Sequence, residues 1–172
     1  MVKRFFFISL LLAFSQSTMA QSEDVIARLN KQEVIELMTQ ISRMPGQRQN
    51  ERLAQILKDP AGSKTPRSDF TFCSGMAYLG NYRAQMCVGN AFEKGRGIVE
   101  DLSEAYTWYA VASENKNADA AEAQKAEAER DRVKDRLLAA YPHPTEDDLA
   151  DQVNSQKDRI AQYQEQIKKA KN

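Results

Sequence analysis

The sequence predicts an all-α fold, and three observations carry that reading. The chain of 172 residues holds seven glycines and five prolines, and its β-branched residues form no long runs, so little in it favours strands. Its apolar residues recur three and four positions apart over most of its length, the spacing that gathers them on one face of a helix. Near the C-terminus two such stripes mirror each other about Pro142-His143-Pro144, which predicts a closing antiparallel helical hairpin.

Residues 1–20 read as a signal peptide. Lys3 and Arg4 precede an apolar run from Phe5 to Phe14, and Thr18-Met19-Ala20 offers small residues where a signal peptidase reads, so cleavage is expected near Ala20-Gln21. The run is about half the roughly 20 residues that a membrane-spanning helix needs. No cysteine follows the expected cleavage point, which argues against a lipoprotein anchor; the rival reading is an uncleaved N-terminal anchor. The remaining residues carry 22 basic and 24 acidic side chains, a net charge of about −2. Nucleic-acid binding normally asks for a strongly basic surface, so no nucleic-acid partner is expected. Beyond the leader no segment is apolar enough to span a membrane.

Residues 21–58 form an N-terminal helical segment. Val25, Ile26, Leu29, Val34, Leu37, Met38 and Ile41 keep helical spacing, with a restart at Asn30, which can cap with Glu33. Pro45-Gly46 ends that stretch, and a weaker helix over about 47–58 has Leu53, Ile56 and Leu57 to bury. Residues 59–67, rich in proline and glycine, read as a linker with nothing to pack. A helix over about 82–94 follows, with Ala84, Cys87, Val88, Ala91 and Phe92 on one face. Gly95-Arg96-Gly97 comes next. A phosphate cradle needs a preceding strand and a Lys-Ser/Thr pair; here a helix precedes, so the glycines are expected to supply positive φ at a helix end. Asp101 with Glu104 forms a capping box for the next helix, in which Ala105, Trp108, Tyr109 and Ala112 make one buried stripe.

This spacing resembles the Sel-1-like repeat, a helical hairpin related to tetratricopeptide repeats. The match runs through Ala84, Gly89, Phe92, Gly95, Gly97, Asp101, Ala105, Trp108, Tyr109 and Ala112. Val88 and Phe92 stand where the family carries leucine and tyrosine. A fainter half-repeat precedes it in Phe72-Cys73, Met76-Ala77 and Gly80-Asn81. The resemblance implies a short α/α solenoid over residues 68–120, about one and a half repeats. Roughly three repeats are usually needed for stability, so flanking helices must close the ends.

The C-terminal part, residues 121–172, is expected to be that closure. Thr145 can cap the last helix through Asp148, and Leu149, Val153, Gln156, Ile160, Tyr163 and Ile167 form its stripe. Folded about His143, Leu137 would meet Leu149, Val133 would meet Val153, and Arg130 would meet Gln156. Ala126 and Ala123 would then face Ile160 and Tyr163. The rival reading turns this stripe outward for self-association. Glu127/Arg130, Glu129/Arg132 and Asp131/Lys134 read as surface ion pairs.

Cys73 and Cys87 are the only cysteines, each seven residues from Gly80. Seven residues are close to two helical turns, so both should face each other across the hairpin, within reach of a disulfide. Such a bridge would constrain the unfolded chain by roughly 3 kcal/mol. Two separate buried thiols, or a redox or metal role, are the alternatives. The sole histidine, His143, makes no zinc site by itself, and no metal or other cofactor is expected. Ser113-Glu114-Asn115-Lys116 formally matches the Ser-x-x-Lys of penicillin-interacting enzymes but lacks their companion motifs.

The resemblance implies a non-enzymatic adaptor or assembly factor in the bacterial cell envelope, periplasmic or secreted, with a protein or peptide partner on its helical surface. Arg83, Asn90, Glu93 and Lys94, read as exposed on the 82–94 helix, are the candidate contacts. The alternative class, implied by cysteine-rich members of the family, is a cell-wall or β-lactam-interacting enzyme.

Overall fold

The computed structural model describes residues 31–140 and 144–171, and among them every regular element is a helix. The signal peptide, the Asn30 cap and His143 lie outside the described residues. In chain order the helices are α1 (Lys31–Arg43), α2 (Gly46–Lys58), α3 (Pro66–Tyr78), α4 (Tyr82–Lys94), α5 (Leu102–Ser113), α6 (Ala120–Ala140) and α7 (Glu146–Lys171). From α3 to α6 each helix packs on the next, as in a helical repeat. Helix α1 lies on α3, α2 touches α3 and α4, and α7 runs over α1, α3 and α5.

Local chemistry sets the turns where the sequence places them. Gly80 (φ 89°) ends α3 while the Met76 carbonyl accepts from the Asn81 N–H at 3.0 Å, and the Asn81 side chain accepts from the Ala84 N–H to start α4. Gly95 (φ 63°) ends α4, and Arg96 N–H donates to the Ala91 carbonyl at 2.9 Å. Gly97 (φ 78°) has a second constraint, since a Cβ there would lie 2.3 Å from the Pro66 carbonyl oxygen. The glycine-arginine-glycine run is therefore a bend, as its neighbours in the sequence predict. Asp101 Oδ1 accepts from the Ser103 and Glu104 N–H groups at 2.9 and 3.0 Å. Thr145 and Asp148 cap α7 reciprocally, with the Asp148 N–H donating to Thr145 Oγ1 and the Thr145 N–H to Asp148 Oδ2.

A large core runs through most of the described helices, beside a smaller cluster of Tyr82, Ala112 and Ala126. Met38 and Ile41 of α1, Leu53 and Ile56 of α2, Phe70 and Met76 of α3, and Val88 and Phe92 of α4 join Trp108 and Tyr109 of α5 in a single cluster. Residues 59–65 thus connect helices that share a core, and Ser63 of the linker donates to Asp69 at 2.5 Å. Phe70 meets Phe92 edge to face at 5.4 Å, and Tyr78 meets both Trp108 (5.4 Å) and Tyr163 (5.2 Å) in the same way. At Gly89 a Cβ would stand 2.8 Å from the Tyr109 ring, so the glycine is what lets α5 approach α4.

Helices α6 and α7 close the fold, joined by Lys134 and Glu146 (2.5 Å), but the mirrored pairing that the spacing suggests does not run along their length. Both helices pack on α5 and part from each other beyond the turn. Ala126 clusters with Tyr82 and Ala112 rather than with Ile160, and Arg130 pairs with Glu127 and Asp131 rather than with Gln156. The reason is α5 itself. Thr107 through Ala112 are buried without interruption, so this helix needs cover on opposite sides. Tyr163 and Gln164 of α7 reach Tyr78, the latter donating to its carbonyl at 3.1 Å.

Trp108 is 3% exposed between α3 and the closing helix. Trp108→Ala should cost about 3–5 kcal/mol, the range for emptying a large aromatic site, read as a shift in the urea midpoint at unchanged slope. Ending the chain at Pro144 should leave the α1–α3–α5 face bare, with cooperative melting lost in near-ultraviolet circular dichroism.

Candidate functional site

The four sequence-selected contact residues all lie on α4, yet the structure gives them different jobs. Arg83 is exposed and borders an open depression shared with Asn117 and Glu122. Asn90 lines a cleft of about 280 Å³ on the face formed by α2, α4 and α6. Lys94 is exposed at the far end of the helix. Glu93 is a correction: it is 1% exposed and anchors an ion cluster instead of facing solvent.

The cluster is built from helix register. Glu93 follows Gly89 by one turn on the side of α4 that meets α5, and so turns inward. The Tyr109 hydroxyl donates to Glu93 Oε2 at 3.2 Å. Arg132 and Arg136, one turn apart on α6, converge on the same carboxylate. Arg132 donates through Nη1 to Oε1 (2.9 Å) and through Nη2 to Oε2 (2.6 Å), while Arg136 Nη1 reaches Oε1 at 2.6 Å. Lys94 completes the set at 2.7 Å. Burial alone would raise the Glu93 pKa; the hydrogen bonds from Arg132 and Lys94 and their charges outweigh it and hold the carboxyl at about 2. Burial first, and the Glu93 charge second, push the Tyr109 phenol well above its usual range. The hydrogen bond to Glu93 keeps Arg132 protonated even more firmly than usual. The function of this cluster is to clamp α6 onto α4.

The sequence carried a signal for it that residue-by-residue exposure reasoning missed. Gly89 marks the α4 face that α5 approaches, Glu93 shares that face, and Arg132 with Arg136 forms an i, i+4 pair able to grip one carboxylate. The predicted Glu129/Arg132 pair is present at 2.5 Å as an extension of the cluster.

The cleft next to the clamp has apolar walls from Ile56 and Leu57 of α2, Phe70 of α3 and Ala91 of α4. Its polar rim comprises Asp69, Asn90, Arg96, Lys125 and Glu129. Arg96 Nη1 donates to Asn90 Oδ1 at 2.8 Å, which fixes both side chains. Asp69 accepts from Ser63, and Glu129 is engaged by Arg132. Cys87 of this wall sits at disulfide distance from the buried Cys73, with Cα atoms 6.1 Å apart. Trp108 is in the core and offers no stacking platform.

The Ser-x-x-Lys tetrapeptide does not assemble a reactive pair. Ser113 Oγ donates to the Ala110 carbonyl at 2.8 Å, and Lys116 is exposed. Among the described residues no group of three His, Cys, Asp or Glu side chains could hold a metal ion, and no helix is long and apolar enough to cross a membrane.

Comparison with protein-family models, with curated proteins and with solved structures found no match to this chain. The likeness to Sel-1-like repeats rests on residue spacing alone.

Glu93 ionises more readily in the folded chain than at its ordinary value of 4.5. Its contribution to stability is therefore complete above about pH 4.5 and fades as pH falls toward 2. Glu146 and Asp148, whose carboxyls are also lowered, slope the same way. Glu93→Gln should flatten its own share of this acid-limb slope in urea titrations at stepped pH. At pH 7 the same substitution should cost about 2–3 kcal/mol, below the roughly 3–5 of deeper pairs because Arg132, Arg136 and Lys94 can rehydrate.

Proposed function

We propose that this chain is an exported Sel-1-like repeat protein of the bacterial cell envelope, periplasmic or secreted, that works as a non-enzymatic adaptor or assembly factor. The observation that carries the proposal is the cleft across α2, α4 and α6, which is open to solvent, has apolar walls, and bears fixed polar groups at its rim. A trough of this kind suits a segment of a protein or peptide partner laid across helices, with Asn90 and Arg96 reading its backbone or side chains. The cysteine pair at disulfide distance accords with an oxidising compartment.

The rival functions draw less support. The enzyme reading would need Ser113 beside a buried lysine, and Ser113 instead bonds its own helix. Self-association through the last helix would need its stripe outside, whereas Leu149, Val153, Ile160 and Ile167 are turned into the fold.

The test uses residues 21–172 as bait in envelope extract, followed by affinity measurement with the purified partner. The double substitution Asn90→Asp with Lys125→Glu should weaken binding at least about tenfold, equivalent to about 1.4 kcal/mol, with the melting temperature retained. Undiminished affinity would place the contact elsewhere, and turnover or acylation by nitrocefin would overturn the non-enzymatic reading.

A further inference from the structure

The two cysteines are not equivalent. Cys73, on α3, is 0% exposed. Cys87, on α4, is half-buried and forms part of the cleft wall with Met86, Asn90 and Ala91. Thiol–disulfide exchange requires the attacking thiolate to reach the sulfur it attacks, along a line that the surrounding atoms leave open. Cys87 lines the solvent-open cleft, whereas Cys73 has no exposed surface.

The charge around the cleft favours the same sulfur. Arg96 and Lys125 line it. Arg96 is hydrogen-bonded to the Asn90 amide, a neutral group that does not offset its charge. Of the two carboxylates on the rim, Glu129 is neutralised by Arg132, which leaves Asp69, bonded to Ser63, as the opposing charge. A thiolate in the cleft therefore meets more positive than negative potential, which stabilises the reactive form of a thiol.

We propose that Cys87 Sγ is a thiol-modification site whose ligand class is a small anionic thiol such as glutathione. The thiolate enters the cleft and attacks Cys87 Sγ. A new S–S bond forms between the small thiol and Cys87, the Cys73–Cys87 bond breaks, and Cys73 leaves as a thiolate that takes a proton from water. The electrons balance, because the disulfide is exchanged and no net oxidation occurs. Cys73 stays buried as a thiol, α3 and α4 lose their covalent tie, and the cleft carries a covalently held adduct. This inference is independent of any partner in the cleft.

The test begins with the oxidised protein, residues 21–172, in non-denaturing buffer with reduced glutathione, followed by acid quenching and peptide mass mapping. The adduct should appear on the Cys87 peptide in at least about tenfold excess over Cys73, as expected where one sulfur is accessible and the other buried. An adduct mainly on Cys73, or reduction that starts only at denaturant concentrations that unfold the chain, overturns the proposal. A second arm compares Cys73→Ala with Cys87→Ala in the folded state using Ellman's reagent. The thiol left at Cys87 should react about a hundredfold faster than the one left at Cys73, which must wait for local opening. Equal rates in variants that melt cooperatively would also overturn it.

Discussion

Helix α5 constrains the rest of the molecule. From Thr107 to Ala112 its residues are buried on every side, and a helix apolar all round is stable in water only when neighbours surround it. Helices α4, α6 and α7 all pack on it. Small residues set how close they come: Gly89 admits the Tyr109 ring, and Ala112 and Ala126 leave room for Tyr82. The described chain does not spread its apolar surface over a long stack but wraps it around a single central helix.

Electrostatics then fixes the edge of this arrangement. Glu93 lies at the boundary between α4, α5 and α6, and its carboxylate receives two guanidiniums, an ammonium and a phenol. A carboxylate stripped of water and left unpaired would be strongly destabilising. Here its partners are half in solvent, so the cluster combines a desolvated anion with cations that keep part of their hydration. That asymmetry favours a defined register of α6 on α4, because sliding α6 by one residue would turn both arginines away from the carboxylate. The cleft inherits its shape from the clamp, since α6 supplies one wall of it.

Much of the fold was legible because the signals were local. The α4 boundaries, the Asp101 and Thr145 caps, the positive-φ glycines and the facing cysteines all follow from residues within one or two turns of each other. What the sequence left open depends on partners far apart in the chain. The mirrored stripes identified buried faces correctly but misplaced the partners of Ala126 and Arg130, and the buried run Thr107-Trp108-Tyr109-Ala110-Val111-Ala112 brings α7 onto α5. The charge of Glu93 points to solvent, but its phase relative to Gly89 turns it inward. The cleft joins α2, the linker, α4 and α6, a juxtaposition that no single stretch of sequence encodes.

The position of α7 has a consequence for how the chain is made. Its Gln164 binds the carbonyl of Tyr78, 86 residues earlier, and the helix lies across elements synthesised well before it. Until α7 has been made and has emerged, the groove that α1, α3 and α5 present lacks the helix that fills it. Folding to completion must therefore wait for α7, and that interval is when nascent chains are open to chaperones and to one another.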